Sequence, residues 1–111
     1  MMNELDKLQG YLERKGYSVK RVDKVRASKY GNRAQKRGEE WADFGTKHEI
    51  WASISDKNIR FTAICSWGSL GFRKGLIELT GPSSIMHPKN EYDGFEGWLT
   101  AQEIIDRLEA L

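Results

Sequence analysis

The sequence predicts an α+β protein in which an N-terminal and a C-terminal helix pack on one face of an antiparallel sheet of three to four strands. Three observations support this prediction. Apolar and polar residues alternate across residues 47–81, a leucine stripe with helical spacing lies near the N-terminus, and a helix-capping sequence lies near the C-terminus. Because a length of 111 residues is typical of one domain, we expect residues 1–111 to share a single core.

The first helix is predicted at residues 4–15. Leu5, Leu8 and Leu12 fall at positions i, i+3 and i+7, which places them on one face of a helix. Gly16 follows two basic residues, a sequence that is typical of a helix C-terminus. Residues 17–22 then read as a short strand, which we expect to join an edge of the sheet.

The sheet itself is predicted from residues 47–81. Two runs with a period of two are separated by residues 55–58, a short polar joint of the hairpin type. Residues 75–81 are predicted to form a third strand after a glycine-rich connection. The side chains expected on the core face are His48, Ile50, Ala52 and Ile54 in the first run and Ile59, Phe61, Ala63 and Cys65 in the second.

The C-terminal helix is predicted at residues 101–110, after a polar loop at residues 82–97. Thr100 and Glu103 form a capping box, in which each side chain accepts a hydrogen bond from the backbone N–H of the other residue. Glu103 and Arg107 are four positions apart, and we expect them to form an ion pair on the helix surface.

The composition indicates a cytoplasmic protein with no membrane partner. Charged residues make up 31% of the chain, and the mean hydropathy is −0.65. No run approaches the roughly 20 apolar residues that a membrane-spanning helix needs. The polar, acidic N-terminal sequence is not typical of a signal peptide, and a single cysteine fits a reducing compartment.

Positive charge is concentrated in one segment, although the net charge is only +2. Residues 20–37 contain eight basic residues and one acidic residue, whereas the remainder contains ten basic and fifteen acidic residues. Apolar periodicity is absent from residues 23–40, so we predict a loop or arm there, the alternative being a helix at residues 24–36 that orders on binding.

The basic arm is a candidate nucleic-acid-binding segment, because clustered lysine and arginine side chains neutralise phosphates and an aromatic side chain can stack on a base. The alternative is a solvated loop that binds nothing, or one that pairs with the acidic remainder of this chain or of a second copy. The candidate residues are Arg26, Lys29, Tyr30, Arg33, Lys36 and Arg37.

A second candidate is a protein interface formed by Trp51, Trp67, Phe72 and Arg73, since these residue types are enriched among interface anchors. This interpretation predicts a protein-binding module, either a homodimer or an inhibitor of a host factor. For Trp67 and Phe72 the alternative is packing beneath the glycine-rich connection.

We expect no enzymatic activity, no metal and no cofactor. Cys65 occupies a core-facing position, and the sequence places neither His48 nor His87 near it, so a thiol nucleophile is the third and least supported hypothesis. One cysteine and two distant histidines do not provide metal-ligand spacing. The glycine-rich residues 66–75 lack the order of a phosphate-binding P-loop.

Three segments of the chain carry a resemblance to a protein group. They are the pattern LxxLxxYLExKGY at residues 5–17, ICSWGSLGFRKGLIELTG at residues 64–81 and GWLTAQEIIDRLE at residues 97–109. Together they resemble small uncharacterised proteins from phages and prophages of Gram-positive bacteria. The resemblance covers most of the chain apart from the basic arm. It implies a mobile-element origin and expression in a bacterial cytoplasm, and it assigns no site residue.

Overall fold

The computed structural model of the chain describes residues 3–24, 37, 46–87 and 94–111. These residues form α1 (Asn3–Arg14), β1 (Ser18–Lys24), β2 (Lys47–Ile54), β3 (Ile59–Ile64), β4 (Ile77–Thr80), β5 (Glu96–Leu99) and α2 (Ala101–Glu109). The α+β prediction is confirmed, with five strands where three to four were expected. Neither of these two helices is long and apolar enough to cross a membrane.

The strands form one antiparallel sheet in which neighbours in sequence are also neighbours in space. A 3-10 turn at Ser55–Lys57 joins β2 to β3 and is followed by Asn58, whose φ of 55° lies in the left-handed region that asparagine tolerates. Ala52 of β2 pairs with Val19 on one side and with Phe61 on the other. Because directly opposite residues share a face of the sheet, this row marks the face that we call the core face.

Both helices lie on the core face. Arg21 of β1 reaches from this face to α1, where its Nη1 donates to Asp6 Oδ1 at 3.0 Å and to Gln9 Oε1 at 2.9 Å. The alternation of apolar and polar residues in β2 and β3 predicted correctly which side of the sheet is buried. The fully buried side chains include Leu5, Leu8, Leu12, Ile50, Ile54, Ile77, Leu79, Ile85, Leu99 and Ile104.

The predicted capping box begins α2 and also connects the two helices. Glu103 N–H donates to Thr100 Oγ1, and Thr100 N–H donates to Glu103 Oε1, each at 3.2 Å. The next amide, Ala101 N–H, donates to Glu4 Oε1 of α1 at 2.8 Å. Since the first amides of a helix have no acceptor within the helix, these bonds fix where α2 begins.

The expected surface pair between Glu103 and Arg107 is replaced by a buried one. Arg107 binds Glu96 of β5 through Nη1–Oε1 at 2.8 Å and Nη2–Oε2 at 2.9 Å, and Glu96 is only 2% exposed. Burial opposes ionisation of this carboxyl, but hydrogen bonds from Arg107 and from the His87 backbone N–H outweigh it, so the pKa of Glu96 is lowered. The buried Glu96 carboxylate requires such a partner, whereas the carboxylate of Glu103 accepts from Thr100 in the capping box.

The fifth strand, β5, lies within and just beyond the predicted loop at residues 82–97. Ile77 pairs with Leu99, and Leu79 pairs with Glu96. Two residues of β5, Gly97 and Trp98, therefore lie opposite one residue of β4, Glu78. This two-against-one arrangement is a β-bulge. The bulge and the charged residue at a core-facing position break the alternation that would have revealed the strand.

Candidate functional site

The face of the sheet that points away from the helices, here called the open face, carries a row of side chains across four strands. Lys20 of β1 lies opposite Trp51 of β2, and Trp51 lies opposite Thr62 of β3. Thr62 in turn lies opposite Thr80 of β4. Trp51 is 55% exposed. The row therefore presents an aromatic side chain next to one cation and a pair of hydroxyl groups.

The indole of Trp51 is held in place although it is exposed. Its Nε1–H donates to Glu49 Oε2 at 2.7 Å, and Glu49 Oε1 forms an ion pair with Lys47 Nζ at 3.1 Å. Glu49 is itself only 7% exposed. A ring fixed by a buried carboxylate has lost its rotational freedom already, so a ligand that stacks on it would not have to supply that ordering cost.

The open face is basic around Trp51. Lys20 lies directly opposite the ring, and Arg60 lies opposite Ser53, two positions further along β2. Both cations line a shallow cavity of about 510 Å³ beside Trp51. The carboxylate nearest in register, Glu49, is already paired with a lysine.

The predicted basic arm falls mostly outside the described residues. Arg26, Lys29, Tyr30, Arg33 and Lys36 are in the part that the structure does not describe, while Arg37 is described and exposed. The ends of the connection are described: β1 continues to Lys24, which lies opposite Lys47 at the start of β2. The two strands that flank the arm in the sequence are therefore neighbours in the sheet, and they carry Lys20 and Trp51.

A second concave site lies at the β3–β4 connection and has a volume of about 480 Å³. It brings together three of the four predicted interface residues, Trp67, Phe72 and Arg73, whereas the fourth, Trp51, lies apart on the open face. Trp67 and Phe72 are half-buried, and Arg73 is exposed. We call this site the aromatic cavity; its principal side chains are Trp67, Leu70, Phe72, Arg73, Lys74 and Trp98.

The connection that forms the aromatic cavity is packed tightly against β5. Leu70 N–H donates to Glu78 Oε1 at 2.9 Å, and Leu70 O accepts from Trp98 N–H at 3.4 Å. A Cβ atom on Gly97 would overlap the side chain of Leu70, and one on Gly71 would lie 3.1 Å from Trp98 Cα. These close approaches require glycine at both positions and indicate that the cavity is preformed.

Trp98 is the residue of this site that the sequence reasoning missed. Its backbone has a φ of +56°, in the left-handed region that a bulky side chain rarely adopts, and its side chain is 49% exposed. The bulge in β5 aims this indole at the cavity. The available sequence signal was the Gly97–Trp98 pair, which only Leu99 separates from the capping box.

The sheet also brings Cys65 next to a histidine, which the sequence did not indicate. Cys65 N–H donates to His48 O at 2.9 Å, and His48 Nδ1 lies 2.7 Å from Asp23 Oδ1. Cys65 is nevertheless only 1% exposed, and burial raises the pKa of its thiol. Because the thiolate is the reactive form, this environment is that of a structural cysteine.

The Asp23 carboxylate is better explained as a connector of strands than as a catalytic group. Burial opposes its ionisation, but hydrogen bonds from His48 and Arg21 outweigh this effect and lower the pKa of Asp23. Within residues 3–24, 37, 46–87 and 94–111, no three His, Cys, Asp or Glu side chains are grouped in a way that could hold a metal ion.

Comparison with known proteins found no matching family model, no matching curated protein and no matching solved structure. The resemblance to phage and prophage proteins therefore stays a prediction from the three sequence segments that carry it.

Proposed function

We propose that the protein is a non-enzymatic binding protein that contacts single-stranded nucleic acid across the open face of its sheet. One observation carries this proposal: Trp51 is more than half exposed, is held by Glu49 and lies directly opposite Lys20. Proteins that bind single strands combine aromatic side chains that stack on bases with cations that contact the phosphates.

The charges around Trp51 support the same ligand. Lys20 and Arg60 flank the cavity beside the ring, and β1 and β2 are the strands that precede and follow the basic arm in the sequence. Contacts between such cations and phosphates release counterions and give the affinity a strong dependence on salt. In this proposal the arm residues add further phosphate contacts to the nucleic acid that stacks on Trp51.

Single strands fit this face better than a duplex does. The bases of a duplex are stacked on one another, so a flat sheet with an exposed ring offers them no contact unless they are unstacked. The open face presents the ring from the middle of a sheet, and not a helix that would enter a groove. We further propose that the protein acts in a bacterial cytoplasm as an accessory protein of a phage or prophage, which the resemblance described above supports.

The proposal is tested by fluorescence anisotropy with labelled single-stranded DNA and RNA and a matched duplex. We expect binding to the single strands at low salt, and a loss of roughly 5- to 150-fold in affinity on Trp51→Ala, because stacking contributes about 1–3 kcal/mol per base. The double variant Lys20→Ala/Arg60→Ala should make the salt dependence less steep by about 0.7 for each phosphate that is no longer neutralised.

The matched control is Lys7→Ala/Arg14→Ala, which removes the same amount of charge from exposed positions on α1, on the opposite side of the sheet. This variant should bind as the wild type does. No binding of any single strand at low salt, or an unchanged affinity in Trp51→Ala, would refute the proposal.

The second candidate function is a protein-binding module, either a homodimer or an inhibitor of a host factor. It is favoured by the exposure of two large aromatic side chains, Trp51 and Trp98, at 55% and 49%. Sedimentation equilibrium tests the homodimer: a dimer that Trp51→Ala dissociates would favour this function over nucleic-acid binding. A monomer at all concentrations would exclude the homodimer.

A further inference from the structure

We propose that the aromatic cavity is a subsite for one unpaired nucleotide of the bound strand, with the base among Trp67, Phe72 and Trp98 and the phosphate on Arg73 and Lys74. This inference rests on the proposed function, because the nucleotide belongs to the strand that crosses the open face. It adds a second contact point for the nucleic acid, separate from Trp51 and from the basic arm.

The lining of the cavity matches the chemistry of a nucleotide. Its volume of about 480 Å³ lies in the range of roughly 300–1,000 Å³ that small-molecule sites occupy. Aromatic side chains supply stacking surfaces for a planar base. Arg73 and Lys74 are exposed, and no carboxylate is among the described residues that line the cavity, so the electrostatic complement is an anion.

The strained backbone of Trp98 points to a ligand. A φ of +56° has a steric free-energy cost for any residue with a Cβ atom, and glycine would avoid this cost. Because the indole is about half exposed, its burial does not fully offset the cost. Strain of this kind persists at sites where a side chain has to be presented in one direction, and bulges are a recurrent means of achieving it. Here the bulge presents the indole to the cavity.

The cavity is also preformed. Leu70 is fixed between Gly97 and the Glu78 carboxylate, and Gly71 lies against the backbone of Trp98. A base that enters such a site does not need to order the connection around it, so most of its contact energy can contribute to affinity.

The position of the cavity allows one strand to reach both sites. Glu78 lies in one row with Ile64 and Glu49, so it belongs to the open face. Its carboxylate accepts a hydrogen bond from Leu70 N–H, which connects the β3–β4 connection to this face. Trp51 on β2 and Trp98 on β5 are three strand spacings apart, or roughly 14 Å at about 4.8 Å per spacing. An extended single strand of a few nucleotides spans this distance.

The test uses the full chain, an oligothymidylate with one 2-aminopurine, and the variant Trp98→Gly. Glycine removes the indole and also relieves the backbone, so the variant is expected to fold. Stacking on an aromatic side chain quenches 2-aminopurine, so in the wild type we expect quenching both at Trp51 and in the aromatic cavity. The quenching that remains in Trp51→Ala should disappear when Trp98→Gly is added, and Trp98→Gly alone should lower affinity by roughly 5- to 150-fold.

A second variant, Arg73→Ala/Lys74→Ala, keeps the proposal testable if Trp98→Gly does not fold. It should make the dependence of affinity on salt less steep by about 0.7 for each phosphate that these two cations neutralise in the wild type, whereas Lys7→Ala/Arg14→Ala should not change it.

The outcomes separate this inference from the proposed function. One outcome is that the single-stranded nucleic acid binds and Trp51→Ala weakens this binding, while Trp98→Gly and Arg73→Ala/Lys74→Ala change neither affinity nor quenching. That outcome would refute the subsite and leave the proposed function standing. If the wild type binds no strand, both fail. If thymidine monophosphate alone binds as tightly as the strand, the cavity is a site for free nucleotides, and its assignment to the strand is refuted.

Discussion

The guanidinium of Arg107 and the carboxylate of Glu96 form a two-pronged ion pair beneath the edge of the sheet, with N–O distances of 2.8 and 2.9 Å. The same arginine donates to Ile85 O at 3.2 Å, and the same glutamate accepts from the His87 backbone N–H at 2.6 Å. One buried pair thus fixes α2, β5 and the segment before β5 to one another.

We expect Arg107→Met to destabilise the protein by about 3–5 kcal/mol, because it leaves the Glu96 charge buried without a partner. Urea unfolding, followed by tryptophan fluorescence, measures the loss. The double variant Glu96→Met/Arg107→Met should recover most of it, since two apolar side chains leave no buried charge. The control is Arg14→Met at an exposed position of α1, where we expect a change within about 0.5 kcal/mol. Equal losses in Arg107→Met and Arg14→Met would contradict the prediction.

The same pair makes stability depend on pH in the acidic range. The pKa of Glu96 is lowered from its ordinary value of 4.5, so the folded state binds this proton less readily than the unfolded state does. The stabilisation is complete above that ordinary value and is lost as the pH falls through the lower folded-state pKa. Asp23, whose pKa is also lowered from 3.8, contributes in the same direction.

The measurement is the free energy of unfolding from neutral pH downward in the wild type, Glu96→Gln and Asp23→Asn. Each substitution should flatten the acid limb of the curve, because it removes a group that takes up a proton on unfolding. An acid limb of unchanged steepness in Glu96→Gln would show that the Glu96 carboxyl does not carry this linkage.

Cys65 should resist alkylation in the native protein. The side chain is 1% exposed, and burial raises the pKa of the thiol, so both access and the thiolate fraction are low. Intact mass after treatment with iodoacetamide should show little adduct in buffer and full labelling in urea. The destabilised variant Arg107→Met should label faster, since it opens more often. Labelling of the native wild type as fast as in urea would reopen the hypothesis of a reactive cysteine.

The sheet could be predicted because its alternation is a local signal. Phe61 and Leu79 lie at core-facing positions between polar neighbours in sequence, Ile50 lies between Glu49 and Trp51, and the structure buries all three. The fifth strand could not be predicted in this way. Glu96 faces the core because Arg107, eleven positions later, is its charge partner. The alternation of apolar and polar residues does not reveal a pairing between side chains so far apart in sequence.

The candidate sites show the same division. Trp67, Phe72 and Arg73 belong to one connection, so their proximity follows from the sequence alone. Trp98 joins them only because the bulge in the pairing of β4 with β5 shifts the register by one residue. The position of Trp51 on the open face followed from the alternation. The hydrogen bond that fixes its ring could not be predicted, because alternation does not indicate that Glu49 on this face is buried and accepts from the indole.

The backbone at Trp98 gives a prediction about stability that is separate from binding. We expect Trp98→Gly to be more stable than Trp98→Ala by about 1 kcal/mol, because both remove the indole but only glycine adopts a φ of +56° without a steric cost. Urea unfolding of the two variants measures the difference.

The matched control is the same pair of substitutions at Trp51, which lies in regular strand backbone. There the order should reverse, with Trp51→Gly less stable than Trp51→Ala by about 0.5–1 kcal/mol, because glycine loses more conformational freedom on folding. If alanine were the more stable residue at both positions, Trp98 would carry no strain, and its backbone would not point to a ligand in the aromatic cavity. If the order reverses as expected, the backbone at position 98 favours glycine, which is the strain that points to a ligand in the aromatic cavity.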